Sequence, residues 1–290
     1  MRTIFTYLFA LLLIAACGKV ERRSAANNIL PIPRSIEMRD GSFTFGNETA
    51  IVIVSPEEEK ATLHALLSGA VADISGGKGS TITLQRSDSV AGVTSPEGYS
   101  IAIGKRDITV KATSGAGLFY GVQTILQLME SDGTIPACEI TDEPAFAYRG
   151  AMLDVSRHFF GKEFVKKQID AIAQFKMNRL HLHLTDAAGW RIEIKRYPRL
   201  TEFAAWRNPG PWQTWWHGSR QYVEEGSEGA YGGYYTQEEI RELVAYAAER
   251  HITIIPEIEM PAHSEEVLTA YPELSCTHVP YKQADFCVGN

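Results

Sequence analysis

Apolar residues follow three different patterns along the chain. The first is a continuous run, Ile4 to Ala16, behind the single basic residue Arg2. It is shorter than a membrane span requires and reads as an export signal. It ends in Ile14-Ala15-Ala16-Cys17, small residues before a cysteine, as at a lipoprotein processing site. Cys17 is then the lipidated N-terminus, residues 1–17 the signal peptide and 18–28 a polar tether. The second pattern, over 29–141, mixes α and β. Ile51-Val52-Ile53-Val54 reads as a buried strand. Ser55-Pro56-Glu57-Glu58 opens a helix, with Ser55 as cap, proline in the first turn and Glu58 closing a capping box. Tyr99 to Ile103 and Ile108 to Ala112 form a hairpin, and Leu118, Val122, Ile125, Leu126 and Met129 a helical stripe. This segment holds no cluster of reactive side chains and is assigned as a supporting domain.

The third pattern begins after a turn-rich join at Thr141 to Ala147 and runs over 146–290. Strands are expected at Gly150–Val155, Asn178–Thr185 and His251–Ile258. Helical faces are expected at Phe164, Val165, Ile169, Ile172 and Phe175, and at Ile240, Leu243, Val244 and Ala247. Thr236-Gln237-Glu238-Glu239 is a capping box for the second, and Ser264 caps a third helix reaching Tyr271. Strands alternating with helices imply an α/β fold with a parallel sheet. No glycine-rich phosphate loop follows the first strand, which disfavours a nucleotide-binding open sheet. Polar residues collect where strands end: Asp154, Ser156, Arg157 and His158, then Thr185 and Asp186, then Glu257, Glu259 and His263. That is the active-site end of a (β/α)8 TIM barrel. About three of eight βα units are present, so the expectation is an α+β supporting domain followed by an incomplete barrel with open sheet edges.

The charge balance, 28 basic against 35 acidic side chains, gives a net −7 without a basic cluster, which argues against nucleic acid as a partner. Beyond Cys17 the cysteines are Cys138, Cys276 and Cys287. Their spacing does not suit a zinc site. In an exported protein Cys276 and Cys287 are close enough to bridge, leaving Cys138 free.

Carboxylates and imidazoles at barrel strand ends fit glycoside cleavage. They also fit a metal-dependent hydrolase, because His181 and His183 share one side of a strand and join Asp186 and His263 as donors. Packed, hydrogen-bonded histidines are the simpler reading, and no metal is assigned. Segment 187–235 carries all five tryptophans: Trp190, Trp206, Trp212, Trp215 and Trp216. Either it builds a sugar site, since rings stack on sugar C–H faces, or it is an insertion held by its own aromatics.

Three motifs resemble glycoside hydrolase family 20, the β-N-acetylhexosaminidases. They are Tyr148-Arg149-Gly150-Ala151-Met152-Leu153-Asp154-Val155-Ser156-Arg157-His158-Phe159, then His181-Leu182-His183-Leu184-Thr185-Asp186 with Gly189-Trp190-Arg191, then Ile255-Pro256-Glu257-Ile258-Glu259-Met260-Pro261-Ala262-His263. The resemblance implies removal of terminal non-reducing N-acetylhexosamine from glycans or chitooligosaccharides by substrate-assisted, retaining catalysis. The sugar's own acetamido oxygen attacks the anomeric carbon, a glutamic acid protonates the leaving oxygen and an adjacent aspartate orients the acetamido group. It implies no cofactor. It assigns Arg149 to the sugar hydroxyls and Asp186 with His263 to supporting the acid. Glu259 and Ala262 stand where the family most often has aspartate and glycine, which leaves Glu259 as a candidate without a fixed role.

The family's adjacent aspartate–glutamate pair follows the fourth barrel strand. It is not expected among these residues, and Asp142-Glu143 lies in the interdomain join and reads as a turn. The expectation is therefore an exported, envelope-anchored glycosidase whose 290 residues alone give negligible turnover. The alternatives are a non-catalytic sugar-binding lipoprotein, or the metal-dependent hydrolase. The partners expected are a glycan substrate and, through lipidated Cys17, a membrane, placing the protein in the outer membrane or periplasm.

Overall fold

A computed structural model describes residues 28–279. Cys17, the signal segment and Cys287 lie outside these described residues. The chain divides into two units at Pro144/Ala145.

The first unit is a six-stranded mixed sheet: β1 (Ser35–Thr44), β2 (Ala50–Val54), β3 (Thr81–Arg86), β4 (Tyr99–Ile103), β5 (Asp107–Ala112) and β6 (Thr134–Asp142), in the order β1-β6-β4-β5-β3-β2. Helix α2 (Gly115–Leu128) packs on the central strands and α1 (Glu57–Ala70) lies against α2. The close approach of α2 depends on glycine. A Cβ on Gly117 would sit 2.4 Å from the Gly98 carbonyl oxygen, and one on Gly121 2.5 Å from Val110. Leu118, Val122 and Ile125 from α2 meet Ile101, Ile108 and Val110 in a fully buried core.

Two expectations change in this unit. Ile51 to Val54 is a strand but not a buried one. It is the sheet's outer strand, and Val52 and Val54 are 44% and 54% exposed. A run of four β-branched residues reads alike in a central or an edge strand, because partner count is not encoded locally. At α1 the helix begins one residue late, the cap position falls on Pro56, and the Ser55 hydroxyl bonds Glu59 rather than closing a box with Glu58.

In the second unit β7 (Gly150–Asp154), β8 (Arg179–His183) and β13 (Thr253–Glu257) form a parallel sheet with β8 in the centre. Helix α3 (Lys162–Gln174) follows β7 and α6 (Gln237–Ala248) precedes β13. Leu180 and Leu182 of β8 face one way and are buried, as are Val165, Ile169, Leu243 and Ala247 on the two helices. The expected capping box opens α6: the Thr236 side chain accepts from Glu239 N–H at 3.1 Å, and Glu239 accepts from Thr236 N–H at 3.0 Å. Phe164 and Phe175, placed on the α3 stripe by periodicity, stand largely outside the core, and so does Val244 on α6. Ser264 stands at the cap position of helix α7 (Glu265–Ala270) but its side chain makes no capping bond; its Oγ donates to the Glu259 and Ala262 carbonyls. These three parallel strands with their helices make part of an α/β barrel.

Between β8 and α6 the chain makes an excursion, 187–235, with short pairings β9 (Thr185–Asp186) with β10 (Gly189–Trp190) and β11 (Trp206–Arg207) with β12 (Tyr231–Gly232). Its tryptophans mainly hold it together. Trp190, Trp206 and Trp215 donate their indole N–H to the carbonyls of Ile192, Thr201 and Gln221. Arg191 is fully buried, and its guanidinium donates to the Ser156, Ala188, Ala205 and Gly233 carbonyls. Burial, and after it the neighbouring charge of Arg207, lowers its pKa to about 10.

Candidate active site

Side chains two apart on a strand share a face, and parallel strands in register stack those faces into rows. The upper row is Asp154–His183–Glu257 and the row beneath it Met152–His181–Ile255. Above them the chain adds Arg157, Asp186, Glu259 and His263. The site therefore lies at the C-terminal ends of the strands.

Asp186 is the hub and is 2% exposed. Its Oδ1 accepts from Ala187 N–H at 2.6 Å and meets His263 Nδ1 at 3.2 Å. Its Oδ2 meets Arg157 Nη2 at 2.6 Å and His183 Nε2 at 3.2 Å. Burial alone would raise its pKa, but the hydrogen bond from His183 and the charges of Arg157 and His263 bring it below the ordinary carboxylate value. Glu257 Oε2 meets His183 Nδ1 at 2.6 Å and His181 Nε2 at 2.8 Å. Burial opposes ionisation of Glu257, and its hydrogen bonds with His183 and Glu259 outweigh that, so it stays ionised below its usual range. Glu259 is pushed up, first by the hydrogen bond to Glu257 and then by burial. The two carboxyls are thus pushed in opposite directions, Glu257 toward the charged form and Glu259 toward the neutral one. The hydrogen bond to Asp186 leads the causes that raise His183 to about 9, while burial pulls the other way.

The loop that carries Glu259 and His263 is held at both ends. Glu259 N–H donates to Thr185 Oγ1 at 2.8 Å, and Ser264 Oγ reaches back to the Glu259 carbonyl at 3.1 Å. His263 itself sits in the left-handed region at φ 51°. On the first strand, Asp154 Oδ1 accepts from the N–H groups of Ser156 and Arg157, both at 3.0 Å, and its Oδ2 accepts from Arg157 Nη1 at 2.7 Å. That turn delivers Arg157 to the strand end.

Arg149, assigned by resemblance to the sugar hydroxyls, is placed at the other end of the sheet. It precedes β7, and its guanidinium donates to the Lys176 and Phe146 carbonyls, at 2.8 Å each. From there the strand separates it from the carboxylates by five residues, roughly 16 Å of rise. A side chain engaged at the strand start does not also reach the strand end. The cation at the cluster is Arg157, and the rule that barrel chemistry gathers where strands end was the sequence signal for it.

The metal reading asked His181, His183, Asp186 and His263 to converge. Among the described residues the acids and imidazoles with donor atoms close together are instead His183, Glu257 and Glu259. His183 has both ring nitrogens engaged by carboxylates, Nδ1 by Glu257 and Nε2 by Asp186. Asp142 and Glu143 are engaged within the first unit. Asp142 accepts from Tyr99 Oη and Arg34 N–H, and Glu143 from the N–H groups of Thr94 and Ser95 and from Arg34. Cys138 is buried, and burial raises its thiol to about 11.

Parallel strands backed by helices, with a carboxylate–imidazole network at their C-terminal ends, define a (β/α)-barrel enzyme domain. Residues 146–289 match the model of the glycosyl hydrolase family 20 catalytic domain, and 26–143 match that family's domain 2. A β-hexosaminidase of Porphyromonas gingivalis is 43% identical over 266 residues, covering 86% of this chain and 32% of the relative. One of Vibrio furnissii is 39% identical, covering 86% and 40%. Among solved structures, the exo-β-N-acetylglucosaminidase of Vibrio harveyi in complex with N-acetylglucosamine superposes with a TM-score of 0.71 at 34% identity, over 86% of this chain and 38% of that one. The N-acetyl-β-hexosaminidase of Streptomyces plicatus gives 0.71 at 33%, over 91% and 52%. The chain belongs to glycosyl hydrolase family 20. It spans about a third to two fifths of the length of the two β-hexosaminidases.

Proposed function

We propose that this chain supplies the supporting domain and the first βα units of the catalytic barrel of an enzyme that removes terminal N-acetylhexosamine by substrate-assisted, retaining hydrolysis. One observation carries the reading: a buried, ionised Asp186 held between His263, His183 and Arg157 at the strand ends of a family 20 barrel segment. In this reading Asp186 orients His263, and the imidazole tunes the neighbouring glutamic acid that protonates the leaving group. Arg157 lies at the cluster with its side chain 38% exposed, and it takes the sugar-hydroxyl role that resemblance gave to Arg149. Glu259 acts through Glu257, to which it is hydrogen-bonded.

The acid and its orienting aspartate are not identified among these 290 residues, so turnover of 4-nitrophenyl N-acetyl-β-glucosaminide by this chain is expected to equal the no-enzyme control. Turnover is expected when the chain replaces the matching part of the P. gingivalis relative. In that chimera Asp186→Asn lowers kcat by about 100-fold or more. An active chain alone, or an Asp186→Asn chimera of full activity, sinks the reading.

We further propose export and lipidation at Cys17, with a place in the cell envelope. The support is the run Ile4–Ala16 closing on Ala15-Ala16-Cys17. Labelled palmitate entering the protein, and not its Cys17→Ala variant, is the expected result. Among the described residues no helix is long and apolar enough to cross a membrane.

A further inference from the structure

We propose that His183 and Glu257 are positioning residues for the Asp186–His263 pair, forming a chain of contacts that runs from His181 and Glu259 through Glu257 and the buried His183 and Asp186 to His263. The inference rests on the reading of Asp186 and His263 given above, but the coupling it predicts can be measured without turnover.

The hydrogen bonds around His183 lead to it. His183 lies on the central strand, with only 7% of its side chain exposed. Its Nδ1 is 2.6 Å from Glu257 and its Nε2 3.2 Å from Asp186. A neutral imidazole has one N–H, and one of the two carboxylates would then face a bare lone pair. Only the imidazolium donates to both. The surroundings agree: Asp154 faces it from β7, Asp186 from beyond its own strand, and Glu257 with Glu259 from β13 and the loop after it. On the far sides of Asp186 and Glu257 lie the Arg157 guanidinium and the imidazoles of His181 and His263.

The position of Glu257 follows from the same bonds. Its Oε2 meets His181 Nε2 at 2.8 Å on one side and His183 Nδ1 at 2.6 Å on the other, so the His183 ring is held from the side away from Asp186. With Oδ2 of Asp186 taken by His183 and Arg157, Oδ1 is the atom left to meet Ala187 N–H and His263. Whether His183 carries its charge therefore governs how strongly Asp186 acts on His263. Neither His183 nor Glu257 is required to touch substrate.

The test is nitrogen-15 NMR of the histidine rings in the 290-residue chain. At pH about 7.5 both ring nitrogens of His183 are expected in the imidazolium range, whereas an ordinary histidine is neutral there. Glu257→Gln is expected to lower the His183 midpoint by about one unit or more. His183→Gln keeps an amide donor and removes the cation, so the ring-nitrogen resonances of His263 are expected to move. A His183 found neutral at that pH overturns the proposal, as do His263 ring-nitrogen resonances that stay where they were in a folded His183→Gln chain. The ring shifts of the unsubstituted chain need no variant, so the proposal stands or falls on them even where a substitution unfolds the protein. If the coupling is found and the chimera fails to cleave N-acetylhexosaminides, the functional reading falls and the positioning claim stands. The reverse result separates them the other way.

Discussion

His183 and Glu266 place opposite kinds of ionisable group inside one unit, and both tie stability to pH. For His183 the folded pKa, about 9, lies above its ordinary 6.5. Its stabilising contribution is therefore complete below pH about 6.5 and is lost as pH rises through about 9. Urea midpoints should fall across that window, and the slope should flatten in His183→Gln. Glu266 of α7 is fully buried, and neither carboxyl oxygen has a hydrogen-bond partner. Burial pushes its pKa well above 4.5. The unfolded chain releases this proton first as pH rises, so stability falls from the ordinary carboxyl range upward. Glu266→Gln should stabilise the protein at neutral pH by about 1–3 kcal/mol, read by urea titration. Removing the charge of Asp186 works in the other direction. Asp186→Asn strands His183 and Arg157 and should cost about 3 kcal/mol. At this scale the sequence was partly readable. Two histidines at i and i+2 had to share a face. That Asp186 would accept from four donors depends on the return of His263 from 77 residues away, which no local pattern encodes. Arg149 shows the converse. An arginine beside a conspicuous motif was given a role by resemblance, while its place at the strand start already argued against it.

Among the elements, boundaries marked by side-chain chemistry were the legible ones. The box at Thr236 and Glu239 forms as its spacing predicts, and Thr236→Ala should cost about 1 kcal/mol in thermal or urea unfolding. Ser55 and Ser264 carry similar signals, yet neither side chain caps a helix: the Ser55 hydroxyl donates to Glu59 and the Ser264 hydroxyl to the Ala262 carbonyl. Strands without an alternating or strongly apolar pattern escaped notice. β1, Ser-Ile-Glu-Met-Arg-Asp-Gly-Ser-Phe-Thr, is exposed along nearly its whole length and reads as loop. The excursion 187–235 was visible as an insertion. Its main clamp was not, since a fully buried arginine satisfied by carbonyls has no sequence signature. Arg191→Met removes donors to four carbonyls at once, and it should release the excursion to faster amide exchange at Ala188, Ala205 and Gly233 while β8 keeps its protection.

For the molecule as a whole, the α/β class and the order of supporting domain then barrel followed from the alternation of strand and helix. The six-stranded topology of the first unit did not, because strand order depends on pairings between distant segments such as β1 with β6. The barrel sheet presents one face bearing Met152, His181 and Ile255, with Met152 59% exposed, while the opposite face is packed on helices. Among the described residues its outer strands β7 and β13 each pair on one side only. Such a surface binds apolar dyes and invites strand-to-strand association. Sedimentation should show concentration-dependent association, and Met152→Lys should reduce it.

The clamp at Arg191 grips the root of the excursion, whereas its far bend, Glu224 to Gly229, is exposed and turns on Gly226 and Gly229 at positive φ. Anchorage and length are thus separable. Residues inserted at that bend would lengthen the arm without touching the guanidinium that ties it to Ser156, so the bend is the place to graft a peptide epitope or a protease site while Asp186 and its partners stay undisturbed.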